Sequence, residues 1–438
     1  SEIAATERRS IWFPHCSQVE KLPDSCAVSA PNSSILAIFA VTYLGLAVGH
    51  IPGLKLNRVG IVLLGAIAMM IFGGVNAEKG ISYITAPTML LLFGFFVISA
   101  QLRLSGFYDW VANAIAARLD NPARFLLTLM AVTGGLSAFL NHDIVCLVFT
   151  PVVGAALLRK QLNPVPFLVA LAISSNIGAA ATLIGNPQDM MIGSVAHLSL
   201  GDYVLWSIVP VLFAMIAAYG IIWFLSRRNL ILATKVNESA LDSAGCELNR
   251  PHTIKGLVIL VVVIGLFFTS LPKELVALAA AAIHLASPKF RTEELLKFVD
   301  WPILVLFMGL FMITGAFQST GYGDEAVHWL AQSGFNLDHP ANLAIATAAL
   351  SNLINNSAAV MLLMKVVDLS HAHAAYVLAL ANSFGGSLII LGSVANIICV
   401  QQARDLGVNI SFRDFARLGV PVTIVALAGL VTWTFLMS

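Results

Sequence analysis

The chain has 438 residues, 58% hydrophobic and 11% charged, with a mean hydropathy of +0.87. An ordinary soluble domain is about 45–50% apolar and about 25% charged, so this composition excludes a soluble enzyme, a disulfide scaffold and a disordered chain. Its 24 basic and 23 acidic residues leave a net charge of +1, and no basic surplus points to nucleic acid.

Residues 1–33 read as a polar tail of mixed charge. The first apolar run starts near Ser34, after too long a charged segment for a cleavable signal peptide. Cys16 and Cys26 share the tail, where a disulfide and two free thiols are both open. Asn32-Ser33-Ser34 would be a glycosylation acceptor in a eukaryote. Blocks suited to cross a bilayer core about 30 Å thick then follow. They lie at 34–52, 59–76, 85–104, 165–199, 203–226, 254–271, 272–288, 301–318, 374–400 and 417–437. Two further apolar segments, 123–158 and 340–368, break at polar clusters and read as hairpins whose arms enter and leave on one side. Two full crossings each would give the same parity. The mixed stretches before them, 107–119 and 322–333, suit helices lying along the interface.

With the N-terminus outside, 18 of the 24 Lys and Arg residues fall in cytoplasmic segments. Both termini are then extracytoplasmic, in a multi-pass protein most at home in a bacterial inner membrane. The halves repeat. Leu136-Ser-Ala-Phe-Leu-Asn141-His142-Asp143 matches Leu350-Ser-Asn-Leu-Ile-Asn355-Asn356-Ser357 at an offset of 214, and Gly178 and Gly185 match Gly385 and Gly392 at an offset of 207. Five spans per half invert the second repeat (253–438) relative to the first (34–226), joined by a cytoplasmic linker at 227–252. The expected fold is an all-α polytopic membrane protein. It has ten full spans and two re-entrant hairpins, in two inverted five-span repeats whose broken helices meet at the midplane.

The chemistry is expected at the breaks. Segment 165–199 would run about 50 Å as one straight helix. Ser174-Ser175-Asn176-Ile177-Gly178 instead ends one half-helix, and Asn186-Pro187 restarts it with an N-cap residue and an N1 proline. The second repeat offers Asn382-Ser383-Phe384-Gly385-Gly386, then Gly392-Ser393. Four helix starts, two at these breaks and two at the hairpin tips, aim backbone N–H groups at the membrane centre if the hairpins are re-entrant. The substrate site is therefore expected from Asn141, Ser175, Asn176, Asn186, Asn355, Asn356, Ser357, Asn382, Ser383, Ser393 and Asn396. The plainer reading makes these clusters extramembrane turns. Acids at membrane depth are functional by default, which singles out Asp143 and Asp189. Their repeat partners Ser357 and Asn396 are neutral. Asp189 as a simple helix cap is the alternative. His142 is a proton carrier near neutral pH or an ordinary hydrogen-bonding residue. No Lys or Arg lies in the four polar clusters, so a multiply charged anion would need helix ends plus protons, or sodium at the hairpin tips. No resident metal or cofactor is expected, and the coupling ion is H+ or Na+.

The stretch PFLVALAISSNIGAAATLIGNPQDMMIG resembles the signature of the ion transporter superfamily. It is most similar to the branch of arsenite permeases, the plant silicon efflux transporter, the P protein and bacterial anion permeases. FVDWPILVLFMGLFMITG at 298–315 and LGSVANII at 391–398 support it. Sodium-dicarboxylate symporters are more distant relatives. The resemblance implies a homodimer and elevator-like motion of transport parts (123–226 and 340–438) against scaffold parts (34–122 and 253–339). Many relatives carry Asn-Asp at the first tip, where this chain has His142-Asp143, and Asn where it has Asp189. This paired departure suggests that His142 and Asp189 face each other as a titratable pair. The reading is a secondary transporter of a small oxyacid or oxyanion, arsenite- or silicic-acid-like, exported in exchange for protons. The rivals are a sodium-coupled carboxylate or inorganic-anion symporter, a sodium/proton antiporter, and a passive channel. No HExxH or GxSxG motif argues for an enzyme.

Overall fold

The computed structural model describes residues 32–48, 56–119, 121–228, 248–286, 291–369 and 371–437. Cys16, Cys26 and most of the 227–252 linker lie outside the described residues. The described chain is an all-helical polytopic membrane protein.

Its first half contains α1 (Asn32–Val48), α2 (Arg58–Ile71), α3 (Ala77–Ser82), α4 (Ala86–Leu104) and α5 (Phe107–Ala116). It continues with α6 (Pro122–Ser137), α7 (His142–Arg159), α8 (Val165–Ala179), α9 (Pro187–Val195) and α10 (Leu200–Ser226). The second half opens with α11 (Arg250–Leu266), α12 (Lys273–Leu285), α13 (Thr292–Leu296), α14 (Trp301–Gln318) and α15 (Tyr322–Gln332). It closes with α16 (Pro340–Ile354), α17 (Asn356–Val366), α18 (Ala372–Gly385), α19 (Val394–Asp405) and α20 (Phe412–Met437). The helices correspond one to one between halves. Gly106 and Gly321, at φ 75° and 78°, turn the chain into α5 and α15 through the left-handed region that glycine enters at no steric cost. The short helices α3 and α13 were not expected from the sequence. Asn76 fixes α3 by accepting from the Lys79 N–H at 2.8 Å.

Packing exchanges partners between the halves. α2 lies on α14 and α4 on α12, while α7 lies on α19 and α9 on α17. Within each half the first hairpin arm crosses the broken helix, α6 on α8 and α16 on α18. Small residues permit both crossings. A Cβ on Gly178 would sit 2.2 Å from the Gly134 carbonyl oxygen, and one on Gly385 2.8 Å from the Ala348 Cα. Lipid is as apolar as leucine, so close backbone approach and dispersion must hold such crossings.

The expected breaks occur. α8 stops at Ala179, and Asn186 caps α9 with Pro187 in its first turn. In the second half a 3-10 turn, Ile390–Gly392, leads into α19. Ser393 stands at its N-cap without a side-chain capping bond. Every residue from Pro166 to Gly193 is buried, so the first break lies in the protein interior and is no surface turn. Among the described residues five helices are long and apolar enough to cross a membrane: α4, α7, α10, α14 and α20. α10 and α20 carry the outward apolar face, with Leu205 and Leu436 more than 70% exposed. α7 and α17, which follow the two polar breaks, differ in length. The 18 residues of α7 reach about 27 Å, against about 16 Å for the 11 residues of α17.

Candidate functional site

Both hairpin tips are built alike. Asn141 caps α7 by accepting from the Asp143 N–H at 2.9 Å, and Asn355 caps α17 by accepting from the Ser357 N–H at 3.2 Å. His142, Asp143, Asn356 and Ser357 form the first turns and are buried. The tips differ in backbone. Asn141 has an ordinary φ of −58°, whereas Asn355 sits at φ 101° and ψ 143°, a region nearly reserved for glycine.

The breaks are tied to one another across the halves. On α8, Asn176 donates to Asn396 Oδ1 at 2.8 Å, and Asn396 donates in turn to the carbonyls of Gly386 (2.7 Å) and Ile389 (3.0 Å). On α18, Ser383 lies 3.4 Å from Asp189 Oδ2. Asn176 pairs with Ser383, and Asp189 with Asn396, at the offset of 207, so these are the same tie made twice. Each joins the end of one broken helix to the restart of the other half. Asn186 reinforces the second tie. It accepts from the Asp189 N–H at 2.7 Å and donates to Asp189 Oδ2 at 2.6 Å and Ser383 Oγ at 3.0 Å. Gln188 donates to Ser357 Oγ at 2.7 Å and joins the first restart to the second tip. Asn382 accepts from Ser351 at 3.0 Å. Ser175 and Ser393 are buried nearby.

The structure joins Asn176 to Asn396, Asn186 and Asp189 to Ser383, and Gln188 to Ser357, while Asn141, His142 and Asp143 bond only among themselves. His142 and Asp189 do not pair. His142 Nε2 lies 3.5 Å from Asp143 Oδ1, its own neighbour, while Asp189 is held by Asn186 and Ser383. The reason is geometric: His142 starts α7 at a tip, whereas Asp189 lies in the first turn of α9, locked into the inter-half tie. Several polar atoms stay unmatched. Asn141 Nδ2, Asp189 Oδ1, Asn356 Oδ1 and Ser393 Oγ are buried without a hydrogen-bond partner, an arrangement suited to a polar ligand or bound water.

Sequence reasoning missed a set of charged residues. A cavity of about 200 Å³ beside the first tip is lined by Asn141 and Asp143 together with Arg103, Lys297 and Asp300. Arg103 ends α4, and the other two precede α14, so only tertiary packing brings them to the tip. Asp300 caps α14 from outside the span, accepting from the Ile303 N–H at 3.2 Å. Burial first, and then the neighbouring Asp143, push its carboxyl up to about 6. On the other face the tip is covered. α17 packs on α14, α16 packs on α1, and Tyr43 donates to the Ala358 carbonyl at 3.3 Å. Among the described residues no group of three or more His, Cys, Asp and Glu side chains is placed to hold a metal ion.

The family model for the citrate transporter matches residues 35–376. The chain belongs to the citrate transporter family. It is a secondary transporter and not an enzyme. An uncharacterized transporter of Mycobacterium tuberculosis is 29% identical over 424 residues, covering 91% of this chain and 98% of its own. The silicon efflux transporter LSI3 of rice is 26% identical over 474 residues, covering 89% and 95%. The magnetosome protein MamN of Magnetospirillum gryphiswaldense is 26% identical over 425 residues, covering 88% and 94%. Among solved structures, the YdaH transporter of Alcanivorax borkumensis has a TM-score of 0.56 at 13% identity, covering 93% of this chain and 97% of its own. That likeness shows a shared fold.

Proposed function

We propose that this family member exports a small oxyacid or oxyanion, arsenite- or silicic-acid-like, in exchange for protons. The observation that carries the reading is the doubled arrangement of tips and ties. Two tips are capped and buried alike and two broken helices are tied across the halves through neutral amides and hydroxyls and Asp189, without Lys or Arg in any of the four clusters. Such a lining suits a small polyhydroxylated solute. Silicon efflux by the rice relative supports the direction and the substrate class. Asn141, Asn355, Ser175, Asn176, Asn382 and Ser383 line the site in this reading. Asp143 carries the coupling proton with His142, and Asp189 contributes from the tie.

The finer architecture is part of the proposal. Ten spans form two inverted repeats, α6–α7 and α16–α17 are re-entrant, and the chain works as a homodimer. The parts containing α6–α10 and α16–α20 move as an elevator against the rest. The exchange of helix partners between halves supports the inversion. With the cytoplasm on the Lys- and Arg-rich side, the open cavity at the first tip and the covered second tip describe an inward-facing state.

A second reading has its own observation. Arg103 and Lys297 line the cavity at the first tip, which suits a multiply charged carboxylate or inorganic anion driven by sodium. Proteoliposome flux under separately imposed proton and sodium gradients decides between them, with arsenite, silicic acid, succinate, citrate and sulfate as the panel. Oxyacid flux driven by the proton gradient alone supports export. Flux of citrate, succinate or sulfate driven by sodium alone overturns it in favour of the symporter.

A further inference from the structure

The cavity at the first tip carries more than a preference between two substrates. Its cations are poised rather than neutralised. The Arg103 guanidinium lies 4.6 Å from the Phe298 ring centroid, so its face is used by the aromatic ring and its edge N–H donors stay available. Among the described residues neither Arg103 nor Lys297 makes an ion pair within 4 Å, and the carboxylate acting on Arg103 is Asp109 of α5. A third donor has a fixed direction. Asn141 commits its Oδ1 to the Asp143 N–H, so its buried, unpartnered Nδ2 is left for the cavity it lines. The guanidinium edge, the ammonium and the amide together make a donor set for a carboxylate or oxyanion.

The set exists on one side only. α4 and α14 begin with matching prolines, Pro87 and Pro302, at an offset of 215. The same offset pairs Arg103 with Gln318, Lys297 with Ser82 and Asp300 with Thr85. Each charged position thus has a neutral counterpart in the other half, and no pseudo-symmetric structural role accounts for the charges.

We propose that this cavity is a one-sided anion-docking subsite, in which Arg103 and Lys297 hold a small carboxylate or oxyanion against Asn141 Nδ2, and the ionised Asp300 carboxylate in the same lining repels it. The chemical class of the ligand rests on the anion-transport reading above; the binding prediction does not need flux. The charged groups around the cavity are Arg103 from α4, with Asp109 of α5 acting on it, Lys297 from the preceding loop, and Asp143, beside His142, from α7. Protonation of Asp300 removes the repelling charge, so acidification from pH 7.5 to 5.5 should tighten sulfate binding.

The test is equilibrium binding of citrate and of sulfate to the purified full chain at constant ionic strength. Saturable binding is expected, weakened about tenfold by Arg103→Gln and by Lys297→Gln, the size of one lost charge-assisted hydrogen bond. Arg103→Lys should hold the loss to about threefold and shows that the fold survives. Asp300→Asn should tighten sulfate binding at pH 7.5 and weaken its pH dependence. Absence of saturable binding for both anions, or equal binding by the Arg103→Gln/Lys297→Gln double variant, overturns the subsite. Arg103-dependent binding by a protein that moves nothing in proteoliposomes would overturn the transport reading and keep the subsite.

Discussion

Replacing Asn186 by alanine removes three bonds at once. Loss of the acceptor for the Asp189 N–H costs about 1 kcal/mol, as for other N-cap truncations. Loss of the 2.6 Å donor leaves Asp189 Oδ2 with only the 3.4 Å Ser383 hydroxyl, in a side chain with no exposed surface. A buried carboxyl that loses its donor is destabilised by about 2–3 kcal/mol. The expected total is about 3–4 kcal/mol, several degrees in the unfolding temperature. Asn186→Ser keeps a capping acceptor and should lose about 2 kcal/mol, because a serine hydroxyl is too short to serve both Asp189 and Ser383. The decisive comparison is a double-mutant cycle. In an Asp189→Asn background the carboxyl is gone, and Asn186→Ala should cost only the cap, about 1 kcal/mol, for a coupling of about 2 kcal/mol. Thermal unfolding followed by tryptophan fluorescence in one fixed detergent reads all four proteins. An Asn186→Ala protein unfolding within about 1 °C of wild type, or equal losses in both backgrounds, would refute the tie as a load on the fold.

Asp143→Asn should abolish proton-driven flux with the unfolding temperature unchanged; full gradient-driven flux by that variant would remove Asp143 from coupling. Gly178→Ala should destabilise by about 3 kcal/mol or more, because its Cβ meets the Gly134 backbone oxygen at 2.2 Å. Gly135→Ala, with nothing within 4 Å, should be neutral or gain up to about 1 kcal/mol in unfolding experiments, and equal effects at both glycines would contradict the crossing. Asn355→Ala should cost about 1–2 kcal/mol more than Asn141→Ala, since alanine loses the cap and still has to hold φ 101°. Asp300, pushed up to about 6, holds a proton that the unfolded chain has released by about pH 4. Its contribution is full below that pH and lost as the pH rises through 6. Asp300→Asn keeps the cap acceptor for Ile303 and should therefore gain about 1–2 kcal/mol at pH 7.5. A wild-type slope between pH 4 and 6 that persists in the variant would rule this out.

The sequence alone determined the membrane class, the repeat, the broken helices and the tips, because each rests on local chemistry. Apolar length sets the spans. Asn186-Pro187 signals a helix start whatever surrounds it, and Asn141 and Asn355 cap because a short amide at that position reaches back to the next turn. The short helices α3 and α13 escaped because five or six residues carry too little pattern. Tertiary structure alone decided the partnerships. His142 and Asp189 looked like a pair because both depart from the family pattern, yet the exchange of α7 and α9 between opposite packing partners gives Asp189 to Ser383 and leaves His142 with Asp143. Gln188 stood in the signature motif, but its partner Ser357 lies 169 positions away. Arg103, Lys297 and Asp300 had no local mark at all: they reach Asn141 only because α4 and the start of α14 pack beside the first tip. Periodicity and capping act within a few residues, whereas the charge around a transport site is summed over every helix that reaches it.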